Sequence, residues 1–224
     1  MKLIRIIKNY IKDNYSIYTA LNELDKKIEK YLNYKDGFFI EMGANDGINQ
    51  SNTVFLERKY NWHGMLIEPS EKFTLLKKNR SKLNIFSDAA CCSFKNRGKS
   101  IKFAYYNLMT LALNIENDLD IKKQKINAKK FSNKNYEFIK KGVPLNDLLS
   151  KNNTPKIIDF FSLDVEGVEL EVLQGVNHKE YRFKYLLIEV RNFDRINSFL
   201  IKKNYILLNK FTKKDYLYRY KFLK

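Results

Sequence analysis

The chain holds only two cysteines, and they are neighbours, Cys91 and Cys92. Adjacent thiols do not bridge without strain and no third cysteine is available, so a disulfide framework and a cysteine-rich zinc site are both excluded. Packing in a reducing compartment is the role expected of them. Proline and glycine are scarce, at 3 and 8 of 224 residues, which argues against a loop-rich or fibrous chain. No run of about 18 apolar residues is present, so no membrane span is expected. The basic start MKLIRIIKNYIKDNY lacks the unbroken apolar core and small-residue cleavage site of a signal peptide. A cytoplasmic protein is therefore expected.

Lysine, by contrast, is abundant. The net charge is +17, from 42 basic and 25 acidic residues. Such a surface attracts phosphates, nucleic acid or an anionic membrane face. The lysines are scattered in pairs along the chain and do not form one basic block, so the charge permits an anionic substrate without indicating one. Hydrophobic residues make up 44% of the chain, ample for a core, and the length suits one large domain.

Residues 2–33 carry apolar positions at near-helical spacing, among them Leu3, Ile7, Ile11, Leu21, Leu24 and Ile28, with a break near Asp13–Asn14. This N-terminal helical extension, 1–35, is expected to cover a sheet or pair with a second subunit. A basic amphipathic helix on an anionic membrane is the sharper alternative. Thereafter short apolar runs alternate with amphipathic ones. Strands are expected over 37–43, 63–69, 83–92, 99–107, 157–167 and 185–190, and helices over 51–60, 70–80, 144–152, 168–176 and 194–204. YILLNKF and DYLYRYKF, separated by TKK, predict a closing hairpin. That alternation predicts an α/β fold with a mostly parallel sheet covered on both faces. The polar segment 107–143 does not fit the rhythm and is expected to be partly helical and to form a cap over a ligand.

Ligands of open α/β sheets bind at the carboxyl ends of the strands. Five successive strand ends carry acids here: Glu41 before Gly43-Ala44-Asn45-Asp46-Gly47, then Glu68, then Asp88-Ala89, then Asp164-Val165-Glu166-Gly167, and finally Glu189. Gly43 and Gly47 permit a tight turn and a close approach of backbone to a ligand. The helix that follows offers free N–H groups to an anion. The loop reads E-x-G-x-x-x-G, not the G-x-G-x-x-G of a dinucleotide site, and Glu68 lies about 20 residues beyond it, the separation at which an acid meets ribose hydroxyls. An acid beside the loop, Glu41, would attract an ammonium group. Together these features describe a ligand with a ribose, a carboxylate and an amine but no pyrophosphate, as in S-adenosylmethionine.

FIEMGANDGINQSNTVFLE, LIEPSEKFTLLKKNR and, above all, IDFFSLDVEGVELEVLQG resemble the FkbM family of S-adenosylmethionine-dependent methyltransferases, over roughly 38–190 and in the expected order. The resemblance implies a Rossmann-like class I methyltransferase fold over 36–224, with a seven-stranded, mostly parallel sheet and a C-terminal antiparallel hairpin. It implies methyl transfer to an oxygen, often a sugar hydroxyl of a natural product or surface glycan. Glu41, Gly43, Ala44 and Gly47 would line the methionine half of the cofactor, and Ser51 and Asn52 would meet its carboxylate. Glu68 would hold the ribose, with Pro69 shaping the turn. Asp88 and Ala89 would flank the adenine. Asp164 would lie nearest the transferred methyl.

A neutral hydroxyl is a poor nucleophile, so a carboxylate must take its proton. Asp164 is the expected base, with Glu189 second. Alternatively Asp164, Glu166 and Glu189 hold a divalent ion that orients a sugar diol. Tyr105, Tyr106 and Asn107 are further acceptor contacts, with core packing the plainer role for the tyrosines; Trp62, His63 and His178 are expected to be structural. Arg191 and the lysines Lys122, Lys123, Lys125, Lys129 and Lys130 are expected to face a phosphate or nucleotide-linked acceptor. Two other readings stay open: an RNA methyltransferase, against which stands the lack of any RNA-binding motif, and a non-catalytic subunit of a glycan-assembly complex. A homo-oligomer is compatible with either.

Overall fold

A computed structural model describes residues 17–107, 109–131 and 134–222. In chain order the elements are α1 (Leu24–Glu29), β1 (Phe38–Met42), α2 (Val54–Tyr60), β2 (His63–Ile67), α3 (Phe73–Asn79), β3 (Ile85–Ser87) and β4 (Ala90–Cys92). There follow β5 (Ser100–Tyr106), β6 (Met109–Ala112), α4 (Ile121–Phe131), β7 (Tyr136–Pro144) and α5 (Leu145–Lys151). The last part comprises β8 (Ile157–Leu163), α6 (Glu169–Leu173), β9 (Arg182–Glu189), α7 (Phe193–Lys202), β10 (Tyr205–Lys210) and β11 (Asp215–Tyr220).

Seven strands form the main sheet, in the order β10-β11-β9-β8-β1-β2-β3. β11 runs antiparallel to both of its neighbours and the remaining pairs are parallel. This is the expected Rossmann-like sheet with its closing hairpin. β1 is buried at all five positions because helices cover both faces. Strand alternation sorts its side chains. Phe38, Ile40 and Met42 join the core under α5, α6 and α7. Phe39 joins the core under α1, α2 and α3. Glu41 shares the parity of Phe39 and so points into that second layer.

Three expectations are corrected. The stretch 83–92 is not one strand: β3 ends at Ser87 and β4 starts at Ala90 in a different sheet. That second sheet, in the order β4-β7-β5-β6, also takes the strand expected over 99–107. The segment 107–143 holds α4, but also β6 and most of β7. In β7 the aromatic rings of Tyr136 and Phe138 alternate with Glu137 and Ile139, and Phe138 stacks on Phe103 of β5 at 5.2 Å. Finally, residues 18–20 are not helical, so the helix expected over 2–33 is reduced to α1 within the described residues; its stretch 1–16 lies outside them. Leu24, Ile28 and Leu32 are buried against the main sheet, so this part of the extension covers it. Among the described residues no helix is long and apolar enough to cross a membrane.

Candidate active site

The chain leaves β1 toward β2 and leaves β8 toward β9, in opposite directions, so a crevice opens where these adjacent strands end. A cavity of about 460 Å³ lies there, within the range of small-molecule sites. Gly43 makes the crossing possible: its φ is +82°, and a Cβ there would sit 1.9 Å from the carbonyl oxygen of Asp164. The Asp164 N–H in turn donates to the Met42 carbonyl at 3.2 Å.

Of the expected cofactor residues, Gly43, Ala44, Ser51, Asn52, Glu68, Pro69 and Ala89 line the cavity; Glu41, Gly47 and Asp88 do not. Glu41 is buried and fully engaged. It accepts from Ser51 Oγ at 2.8 Å, Thr53 Oγ1 at 2.7 Å, the Asn52 N–H at 2.7 Å and Arg80 Nη1 at 3.2 Å. The anion expected at the start of the following helix is thus supplied by the protein itself, and the cation that Glu41 attracts is Arg80. Ser51 Oγ accepts from the Thr53 and Val54 N–H groups, so it caps α2. Gly47 serves packing: a Cβ would lie 2.7 Å from Leu76 and 2.8 Å from Arg80. Asp88 is exposed and paired with Lys140 of β7, because the chain has already left the main sheet.

Glu68 lies on the cavity. Its side chain is buried, Oε2 accepts from the Asn45 N–H at 3.0 Å, and Oε1 accepts from the Ser70 N–H at 2.9 Å. Each oxygen keeps a lone pair for a further donor from the cavity. Asn45 and Asn52 also belong to the lining, and their Oδ1 atoms are buried without a partner among the described residues. Asn52 is oriented by its Nδ2, which donates to Ser162 Oγ at 3.0 Å.

The turn after β8 brings the remaining acids together. Glu166 adopts φ +55°, costly for a non-glycine residue, and Gly167 adopts φ +94°. The turn is held from two sides. Glu169 Oε1 accepts from the Val165 and Gly167 N–H groups at 3.1 and 3.0 Å. On the other side Asn117 Nδ2 donates to the Glu166 carbonyl at 3.3 Å and the Asp118 N–H donates to that of Gly167 at 2.9 Å. The segment before α4 therefore braces the site, while only Asn107 and Thr110 of 107–143 line the cavity among the described residues. Tyr105 and Tyr106 are buried packing, as are Trp62 and His178.

Ligand oxygens of Asp164, Glu166 and Glu189 all lie within 4.8 Å of one another. Arg191 Nη2 bridges two of these acids, at 2.8 Å from Glu166 and 2.6 Å from Glu189, and Lys214 Nζ lies 3.6 Å from Glu189. Asp164 has no such cation among the described residues. It opens onto the cavity, while protein crowds it elsewhere. Burial raises its pKa well above the usual carboxylate range, and Glu189, Glu166 and Glu169 raise it further. Water in the cavity moderates the burial effect, but the neighbouring carboxylates act in the same direction. Burial likewise raises Glu166 against the pull of Arg191, and pushes Glu169 up to about 7 despite its backbone hydrogen bonds.

The cavity has two kinds of lining. Ala89, Ala90, Cys91, Phe103, Val168 and Val172 make one part apolar. Asn22, Asn49, Gln50, Thr212, Lys213 and Lys214 make the other polar. Sequence reasoning missed Arg80, Glu169 and the turn between β10 and β11. Arg80 has no nearby motif, but the turn lies beyond a strand that pairs with β9, so its place beside Glu189 follows from the hairpin already expected. The expected acceptor cations are elsewhere: α4 and its lysines do not line the cavity, Lys125 pairs with Glu137 at 2.9 Å, and Arg191 is held by Glu166 and Glu189.

Comparison with known proteins gives the same direction. A search of the curated proteins finds no match. Among solved structures, the crystal structure of Methyltransferase FkbM from Methylobacillus flagellatus KT is similar at 13% identity with a TM-score of 0.49, over 84% of this chain and 44% of that one. The chain thus spans less than half the length of that protein. The METTL16 MTase domain is similar at 12% identity and a TM-score of 0.44, over 90% of this chain and 67% of that one. The human methyltransferase 10 domain containing protein is similar at 9% identity and a TM-score of 0.45, over 96% and 93% of the two chains. Residues 41–219 match the family described as Methyltransferase FkbM domain. That stretch is most of the chain and contains both strand ends that build the cavity, and on it the chain belongs to the FkbM methyltransferase domain family.

Proposed function

We propose that the protein is an S-adenosylmethionine-dependent O-methyltransferase acting on a sugar hydroxyl, in a surface glycan or a nucleotide-linked sugar. The observation that carries this reading is Glu68: a buried acid after the second strand, on the lining of the cavity, with each oxygen engaged once by a backbone N–H. The residues present fit the cofactor. Glu68 would hold the ribose hydroxyls, and the apolar residues of the lining would enclose the adenine. Bound there, the cofactor supplies a methyl group already activated on its sulfonium.

The protein's work is then to align the acceptor and remove its proton. Asp164 is the base. It lies at the end of β8 on the cavity, no cation pairs with it among the described residues, and burial and the neighbouring carboxylates raise its affinity for a proton above that of an ordinary carboxylate. Glu189 is held by Arg191 and Lys214, and its charge stabilises the proton that Asp164 takes from the acceptor. Calorimetry with S-adenosylmethionine tests the reading: binding in the micromolar range is expected, and none at millimolar cofactor would overturn it.

A second reading assigns Asp164, Glu166 and Glu189 to a divalent cation, favoured by the 4.8 Å grouping of their oxygens. Arg191 already bridges two of the three, so an ion would have to displace it. Turnover that survives a chelator is expected; turnover abolished by it and restored by one divalent ion would favour the metal.

A further inference from the structure

The cavity is lined by charges of both signs. Its floor carries Asp164, Glu166 and Glu189, two of them bridged by Arg191. Its other cations come from the turn between β10 and β11, where Lys213 and Lys214 line the same cavity. Lys213 is exposed and has no ion-pair partner among the described residues. Lys214 shares a loose contact with Glu189 at 3.6 Å, beyond hydrogen-bond length. Two lysines on a flexible turn would mean little. This turn is stiffened: Thr212 Oγ1 accepts from the Lys214 and Asp215 N–H groups at 3.1 and 3.0 Å and donates to the Asp215 carboxylate. The Val190 N–H then donates to the Lys214 carbonyl at 2.8 Å, tying the turn to the strand end that presents Glu189. The backbone that carries the lysines is thus fixed relative to the acid at the end of β9. The amides of Asn22, Asn49 and Gln50 line the same cavity and are suited to hydroxyl groups.

We propose that the acceptor is an anionic sugar, bearing a phosphate, diphosphate or carboxylate, and that Lys213 and Lys214 read its charge. The proposal rests on the methyltransferase reading and narrows its substrate class. A molecule with an anion at one end and a hydroxyl at the other enters in one orientation only. Its charge is drawn to the turn and repelled by the floor, which leaves the hydroxyl at Asp164. A neutral glycan has no such director. The reading lysines are those of the hairpin turn, on the main sheet, and not those of α4.

The test is binding, measured by calorimetry with and without saturating S-adenosylhomocysteine, so that sugar preference is scored whether or not the cofactor binds. The probes are glucose, glucose 1-phosphate, glucuronate and uridine diphosphate glucose. At least one charged probe is expected to bind at least about tenfold more tightly than glucose, with an advantage that shrinks as salt rises. The double variant Lys213→Ala, Lys214→Ala is expected to lose that advantage while its S-adenosylhomocysteine affinity and melting temperature stay near wild type. The phosphate and carboxylate arms separate the two anion types. Charged probes that bind no better than glucose, or a double variant that keeps the preference, would overturn the proposal. Loss of S-adenosylhomocysteine binding by the wild type would instead strike the methyltransferase reading.

Discussion

Glu41 and Glu68 leave neighbouring parallel strands, both buried, both beside the same glycine loop, and their fates are opposite. Glu41 is enclosed by Arg80, Ser51, Asn52 and Thr53, and presents nothing to the cavity. Glu68 keeps half its accepting capacity for a ligand. The same contrast separates the region around β1 from the region around the ends of β8 and β9. In the first, Arg80 pairs with both Glu41 and Glu57. In the second, neither Asp164 nor Lys213 has an ion-pair partner among the described residues. The fold supplies a counter-charge at one strand end and withholds it at another.

Four measurements would break or sharpen this contrast. The largest effect is expected at Arg80. Arg80→Met leaves Glu41 and Glu57 as buried acids without their cation, and should cost about 3–5 kcal/mol in urea denaturation. A loss below 1 kcal/mol (~) would mean that this network is not the closed unit described. Next, Asp164→Asn should lower turnover about 10²–10⁴-fold. Its cofactor affinity should stay within about threefold of wild type, and equal losses in both would make Asp164 a cofactor ligand. Glu68→Gln should do the reverse: cofactor affinity falls about tenfold, as a charged acceptor becomes a neutral one, with turnover at saturation little changed.

The smallest effect concerns pH. Burial raises the pKa of Glu169 in the folded protein to about 7, above the ordinary glutamate value of 4.5. Between those values the folded state binds more protons than the unfolded one, so stability from this group is present below about pH 4.5 and is lost as pH rises through 7. His178, lowered to about 4 by burial, acts oppositely: its stability is present above 6.5 and is lost as pH falls through 4. Glu169→Gln removes one of these terms. The difference between variant and wild-type stability should rise with pH by up to about 1.4 kcal/mol per pH unit between 5 and 7, read from denaturation curves. A difference that stays flat would mean that Glu169 does not titrate there.

The main sheet was legible because its strands are short, apolar and stopped by turn residues, a pattern that helices on both faces impose. The second sheet was not. β4 continues an apolar run begun in β3, and nothing in Ser87-Asp88-Ala89 marks the change of sheet. β7 alternates, but its inward rings sit among lysines, and exposed Ile139 blurs the period. In the site, Glu68 and the DVEG acids were found because their position at strand ends decides where they point. Glu41 was misassigned, although its parity with Phe39 in β1 was available to say that it faces the helices. Arg80 and Glu169 act by closing loops from a distance in sequence, and spacing does not report that.

The carboxylate of Glu41 at the start of α2 also has a thermodynamic consequence. A loop that would otherwise need a ligand's anion to order its N–H groups already carries one. The conformation from Gly43 to Thr53 is therefore set before any ligand arrives, and binding there need not be slowed by ordering the loop or weakened by its entropy. Amide protons of Asn52, Thr53 and Val54 should exchange slowly in the free protein, as they would in a complex.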